Sequence, residues 1–122
     1  MAFMIDDMLD AALAYLDNVT ALHICSQEPT TLTEATTTYT LGNKASPTIN
    51  AAEAGDTSGR KRVVAAISDG TQTGAGTASH YALVSGTELI ATNSFASTFD
   101  TSGSGTFTTT AFDVTVQDAV SE

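Results

Sequence analysis

Thr77-Ala78-Ser79-His80-Tyr81-Ala82-Leu83-Val84-Ser85-Gly86-Thr87-Glu88-Leu89-Ile90-Ala91 reads as a β-hairpin. Alternation at period two puts Tyr81, Leu83 and Ser85 on one face, with His80, Ala82 and Val84 on the other. Ser85-Gly86-Thr87 is expected to close the turn, because glycine supplies the positive φ that tight hairpin turns need. Leu89 and Ile90 begin the return strand. Runs of the same style lie on both sides, so the hairpin is expected in the middle of a β-sheet domain.

Upstream of it, residues 62–67 read as a strand with Val63, Ala65 and Ile67 on one face. Residues 68–76 read as a flexible connection. Its glycines are no phosphate loop, since neither Gly-Lys-Ser/Thr nor a helix follows them. Residues 22–25 read as the first strand. It ends at residues 26–30, because Pro29 cannot continue a central ladder. Residues 36–41 read as a short edge strand, with Tyr39 and Leu41 on one face. Residues 50–59 are small and polar. A loop of that length in a small domain is usually functional or lies against something else. Asn50, Glu53 and Asp56 are therefore candidate contacts between subunits.

Downstream, Phe95 and Phe99 read as packing residues and residues 101–105 as a turn. Residues 107–116 read as one long strand that buries Phe112, Val114 and Val116. At the other end of the chain, residues 1–17 read as one amphipathic helix. Ile5, Met8, Leu9, Ala12, Leu13 and Leu16 follow the i, i+3, i+4 spacing. Asp6, Asp7 and Asp10 lie opposite, and the first two suit the positive end of the helix dipole. The apolar stripe either caps the sheet or docks on a partner through Ile5, Met8 and Leu9.

These elements predict a mainly β fold: a single sandwich or partly open barrel of about six to eight short antiparallel strands with one N-terminal amphipathic helix. One domain is expected over residues 1–122, with the helix at 1–17, the β-domain at 21–116 and an acidic tail at 117–122. Threonine and serine make up about a quarter of the chain, and threonine suits exposed strand faces. Hydrophobic residues reach 42% but aromatics only 7%, and tryptophan is absent. The core is expected to be thin, which favours support from neighbouring subunits.

The net charge is -10, from 14 acidic and 4 basic residues. That balance argues against nucleic acid and against anionic membrane surfaces, both of which need clustered Lys and Arg. Three of the four basic residues are adjacent, Arg60, Lys61 and Arg62. They read as a charged strand entrance, or as a salt-bridge contact with an acidic neighbour that includes another copy of this chain. Cys25 is the single cysteine, so no intrachain disulfide forms, and its setting predicts a small buried hydrophobe rather than a catalytic thiol. His23 and His80 have no metal-ligand spacing to other donors. No catalytic residue, cofactor or metal site is expected. The acidic N-terminus is no signal peptide, and no apolar run reaches a membrane span. The chain is expected to be soluble and made in a host cytoplasm.

Several pieces occur in an order that resembles a family of small bacteriophage virion proteins, tail-fibre-like or head-decoration proteins. They are an amphipathic helix, then Leu22-His23-Ile24 with Pro29, then the strand entrance Gly59-Arg60-Lys61-Arg62. Next come Thr77-Ala78-Ser79-His80, Tyr81-Ala82-Leu83-Val84 and Gly86-Thr87-Glu88-Leu89-Ile90. The closing strand is Thr110-Ala111-Phe112-Asp113-Val114-Thr115-Val116. The chain departs from the pattern at Ile24-Cys25-Ser26 and lacks a glycine-rich segment after the helix. The resemblance implies a capsid decoration or cement protein on the outer head surface of a virion. Its partners would be the major capsid protein and sister subunits in a homo-oligomer, with a trimer favoured. It would have no nucleic-acid or membrane partner and no catalytic residues. A tail component or head-fibre base is the alternative. A carbohydrate-binding or cell-surface-binding module is a further one, although Tyr15, Tyr39 and Tyr81 are widely spread.

Overall fold

The computed structural model describes residues 6–54 and 59–116. The chain is mainly β, 55% strand and 17% helix. Helix α1 (Asp6–Ala14) runs into a 3-10 turn at Tyr15–Asn18. The strands among the described residues are β1 (Ala21–Cys25), β2 (Thr40–Ala45), β3 (Glu53–Ala54), β4 (Arg60–Val64), β5 (Ile67–Gln72), β6 (Ala75–Val84), β7 (Leu89–Ser102), β8 (Thr106–Thr109) and β9 (Phe112–Val116). They pair antiparallel throughout. The chain forms two compact units that interleave along the sequence. One comprises residues 18–47 and 67–109, the other residues 1–17, 48–66 and 110–122.

The larger unit is a six-stranded sheet in the order β7-β6-β1-β2-β5-β8, curled into a half-barrel. The return strand of the hairpin, β7, is the edge of the sheet and not its middle, while β6 lies inside the sheet between β1 and β7. Both faces of β6 are buried: Tyr81, Ala82, Leu83 and Val84 are all 6% exposed or less. The register pairs Leu22 with Leu83 and Ile24 with Tyr81, which collects these four on one face. Cys25, Ala82 and Val84 form the core of the other face, covered by Leu32, Ala35 and Tyr39. The hairpin turn closes through Ser85 N–H donating to Glu88 O at 2.9 Å. Gly86 does not take a positive φ there. Instead the Ser85 hydroxyl accepts the N–H groups of Thr87 and Glu88, at 3.2 and 3.0 Å, so a side chain fixes the turn.

Four other expectations are corrected. Residues 36–41 are not one strand, because Glu34–Thr38 is a π-helical turn and β2 starts at Thr40. The threonine run favours a strand, but capping wins locally. The Thr31 hydroxyl accepts the Glu34 N–H at 3.1 Å, and the Glu34 carboxylate reaches back to the Thr30 N–H at 2.8 Å, in the manner of a capping box. Residues 62–67 are split: β4 ends at Val64 and β5 begins at Ile67 in the other sheet. Residues 68–72, read as a connection, lie in that strand β5. Residues 107–116 are split in the same way, into β8 and β9. Phe107 is therefore the buried aromatic at 4% exposure, while Phe112 and Val114 are half-buried.

Phe107 also explains two glycines. It pairs with Gly70 across β5 and β8, and its ring lies over both Gly70 and Gly42. A Cβ on Gly70 would stand 2.2 Å from the ring Cζ. The ring occupies space that a side chain on either strand would need.

The smaller unit has the three-stranded sheet β3-β4-β9 and helix α1. Leu9, Leu13 and Leu16 are buried at 5% exposure or less, and Val64 at 0%. The stripe on α1 thus closes a core of its own chain at Leu9 and Leu13. Ile5, Asp56 and the tail at 117–122 lie outside the described residues, as do the side chains of Met8 and Val116.

Candidate functional site

The basic triplet organises the smaller unit. Alternation along β4 sends Arg60 and Arg62 to one side and Lys61 to the other. Arg60 Nε donates to Asp10 Oδ1 at 2.8 Å and its Nη2 to Asp10 Oδ2 at 3.4 Å, a fork on a helix carboxylate. Arg62 reaches further. Its Nη1 donates to Asp17 Oδ1 at 2.9 Å and to Leu13 O at 3.2 Å. Its Nε donates to Asn50 O at 2.8 Å and its Nη2 to Ile49 O at 3.3 Å. One guanidinium therefore ties the end of α1 to the segment before β3. Lys61, on the opposite face, donates to Asp113 Oδ2 of β9 at 3.2 Å.

The acidic partners of the triplet are thus found within the chain. Of the candidate assembly residues, the structure brings Arg62 and Asn50 together, turns Arg60 to Ala52 O, and buries Leu9 in the core. Asn50 and Glu53 are exposed. Sequence reasoning missed Asp10, Asp17 and Asp113 as the partners. A signal existed: Asp10 and Asp17 are two helical turns apart, and Arg60 and Arg62 share one strand face.

Between α1 and residues 51–52 lies an open groove of about 250 Å³, lined by Asp10, Ala14, Asp17, Ala51, Ala52 and Arg62. The alanines make its walls shallow. Arg62 is only 11% exposed at its side chain and is committed to four oxygens. Both Asp10 oxygens accept from Arg60 and Asp17 Oδ1 accepts from Arg62, so the charged groups lining the groove are already in ion pairs.

The remaining reactive side chains are held in structural hydrogen bonds. Thr40 donates its hydroxyl proton to Gly42 O at 3.1 Å, so the 2.9 Å contact from His23 Nδ1 to Thr40 Oγ1 requires the His23 proton on Nδ1. Burial pushes the His23 pKa down, disfavouring the cation. The Ser79 hydroxyl donates to Ser26 O at 3.0 Å and lies 2.8 Å from His80 Nδ1. Cys25 is fully buried, and desolvation raises its pKa to about 11, so the thiol stays protonated at neutral pH. Among the described residues no three of His, Cys, Asp and Glu are grouped to hold a metal ion. No helix among them is long and apolar enough to cross a membrane.

No family model, curated protein or solved structure matches the chain.

Proposed function

We propose that the chain is a structural protein of a bacteriophage virion, acting as a decoration or cement protein on the outer head surface. Two things support this reading: the ordered resemblance of its sequence pieces to that family, and the disposition of its charge. The charge is the observation that carries it. All four cations are spent inside the chain, in Lys44–Asp69, Arg60–Asp10, Lys61–Asp113 and Arg62–Asp17. The net charge is -10, and among the described residues Glu28, Glu53, Glu88 and Asp100 are exposed. A surface of that sign suits the outside of a DNA-filled shell and repels packaged phosphate. Many copies bound by symmetry, each burying modest area, add up to reinforcement of the shell against internal pressure.

The test mixes purified chain with assembled, expanded heads of its source phage and follows bound protein and head heat resistance. Saturable binding at a fixed copy number with raised heat resistance is the expected result. Heads that ignore the chain, or bind it without any gain in resistance, would overturn the cement reading. Association with tail tubes or fibres would move the protein there.

A further inference from the structure

The segment from Thr30 to Tyr39 hydrogen-bonds almost entirely to itself. Glu34 is its hub. Its Oε1 accepts the Thr30 N–H and the Thr30 hydroxyl, both at 2.8 Å, and its Oε2 accepts the Tyr39 hydroxyl at 3.3 Å. The backbone bonds Ala35 N to Thr31 O, at 3.1 Å, and Tyr39 N to Glu34 O, at 2.8 Å, also stay inside the segment. So does Thr36 Oγ1 to Leu32 O at 2.9 Å. Its ties to the sheet are few. Ser26 N–H donates to Tyr39 O at 3.0 Å, and the Cys25 thiol donates weakly to Ala35 O at 3.7 Å. The rest is apolar packing of Leu32, Ala35 and Tyr39 on Cys25, Ala82 and Val84. Pro29 marks one end of the segment and the start of β2 the other.

A segment bonded to itself and only lightly to its support can unfold locally without breaking the sheet ladder. Single π-helical turns are uncommon and recur where a segment has a job besides packing. We infer that residues 30–39 form a strap over Cys25, held in its folded shape by Glu34, that opens by local unfolding while the six-stranded sheet stays intact. Opening uncovers the thiol and the apolar patch around Ala82 and Val84. The strap is a conformational device of this fold, and it stands or falls independently of any capsid role.

The test is the rate of Cys25 modification by 4,4′-dithiodipyridine on the full chain at neutral pH, across a urea series below the unfolding transition. Local opening predicts a rate with a weak urea dependence, much shallower than that of global unfolding. Glu34→Ala is expected to speed modification by about tenfold, the scale of a lost set of charge-assisted hydrogen bonds. Glu34→Gln, which keeps one acceptor oxygen, should fall between it and the native chain. Far-UV circular dichroism and the global urea midpoint report whether each variant has folded. A modification rate that tracks global unfolding in slope would overturn the strap. So would Glu34→Ala leaving the rate unchanged in a folded protein.

Discussion

Phe107 shows how one aromatic ring fixes the residues around it. Its ring sits over Gly70 and Gly42, and at Gly42 a side chain would also strike the backbone of Thr71. At Gly70 a Cβ meets three ring carbons within 2.6 Å; at Gly42 it meets Thr71 O at 2.5 Å. Backbone oxygen cannot swing away, and the ring has nowhere else to go in a close-packed interior. Gly70→Ala is therefore expected to destabilise the larger unit by roughly 1–3 kcal/mol through overpacking. Phe107→Ala leaves a cavity instead and should cost about 3–5 kcal/mol. The decisive measurement is the pair combined. Gly70→Ala in a Phe107→Leu background should cost less than it does alone, read from urea midpoints as a double-mutant cycle. Additive losses would mean that the ring is not what excludes the Cβ.

At the scale of elements, α1 is fastened by Arg62 as well as by its leucines. Removing that side chain leaves the carbonyls of Leu13, Ile49 and Asn50 without this donor and Asp17 without this cation. Arg62→Ala is expected to destabilise the smaller unit by roughly 2–3 kcal/mol. Arg62→Lys should recover little, since a single ammonium cannot reproduce the planar fork. Hydrogen exchange at the α1 amides checks this: protection should fall there first, and unchanged protection would refute the fastening. Much of this architecture was legible from residue periodicity. The spacing of Leu9, Leu13 and Leu16 indicated α1 and its buried side, and the alternation around Tyr81 and Leu83 indicated β6. The two sheet changes were not legible, because 64–67 and 109–112 carry no glycine or proline to punctuate them. Both runs alternate as one strand would, and only burial of Phe107 and Ile67 in a different sheet separates the halves. The turn at Glu34–Thr38 was hidden by its threonines, whose β-branching favours a strand until Thr31 and Glu34 cap it. The salt-bridge partners of the triplet stayed unread for another reason: Asp10 and Asp113 are about fifty residues from Arg60 and Lys61, beyond any local pattern.

For the whole molecule, the governing quantity is a net charge of -10 on 122 residues. Two effects of salt oppose each other. Screening weakens the four ion pairs, which are partly exposed and each worth about 0–1 kcal/mol. Screening also relieves repulsion among the excess carboxylates, which acts over longer distances and disfavours the compact state. The Debye length falls from roughly 30 Å at 0.01 M to about 8 Å at 0.15 M. Contacts of about 3 Å within the pairs are therefore screened least, and repulsion between charges farther apart than the Debye length is screened most. The repulsive term should dominate. The thermal midpoint is expected to rise by roughly several degrees between about 10 mM and 150 mM sodium chloride, then flatten as the Debye length drops below the spacing of the charges. Differential scanning calorimetry at neutral pH measures it directly. A variant that removes one exposed carboxylate but keeps the Oδ1 that accepts the Thr77 hydroxyl proton, Asp100→Asn, should show a higher midpoint at low salt and a smaller salt response. A midpoint that falls with salt would mean that the ion pairs of Arg60, Lys61 and Arg62 outweigh the excess charge. The stability of the fold would then rest on its four cations more than on the dispersal of its carboxylates.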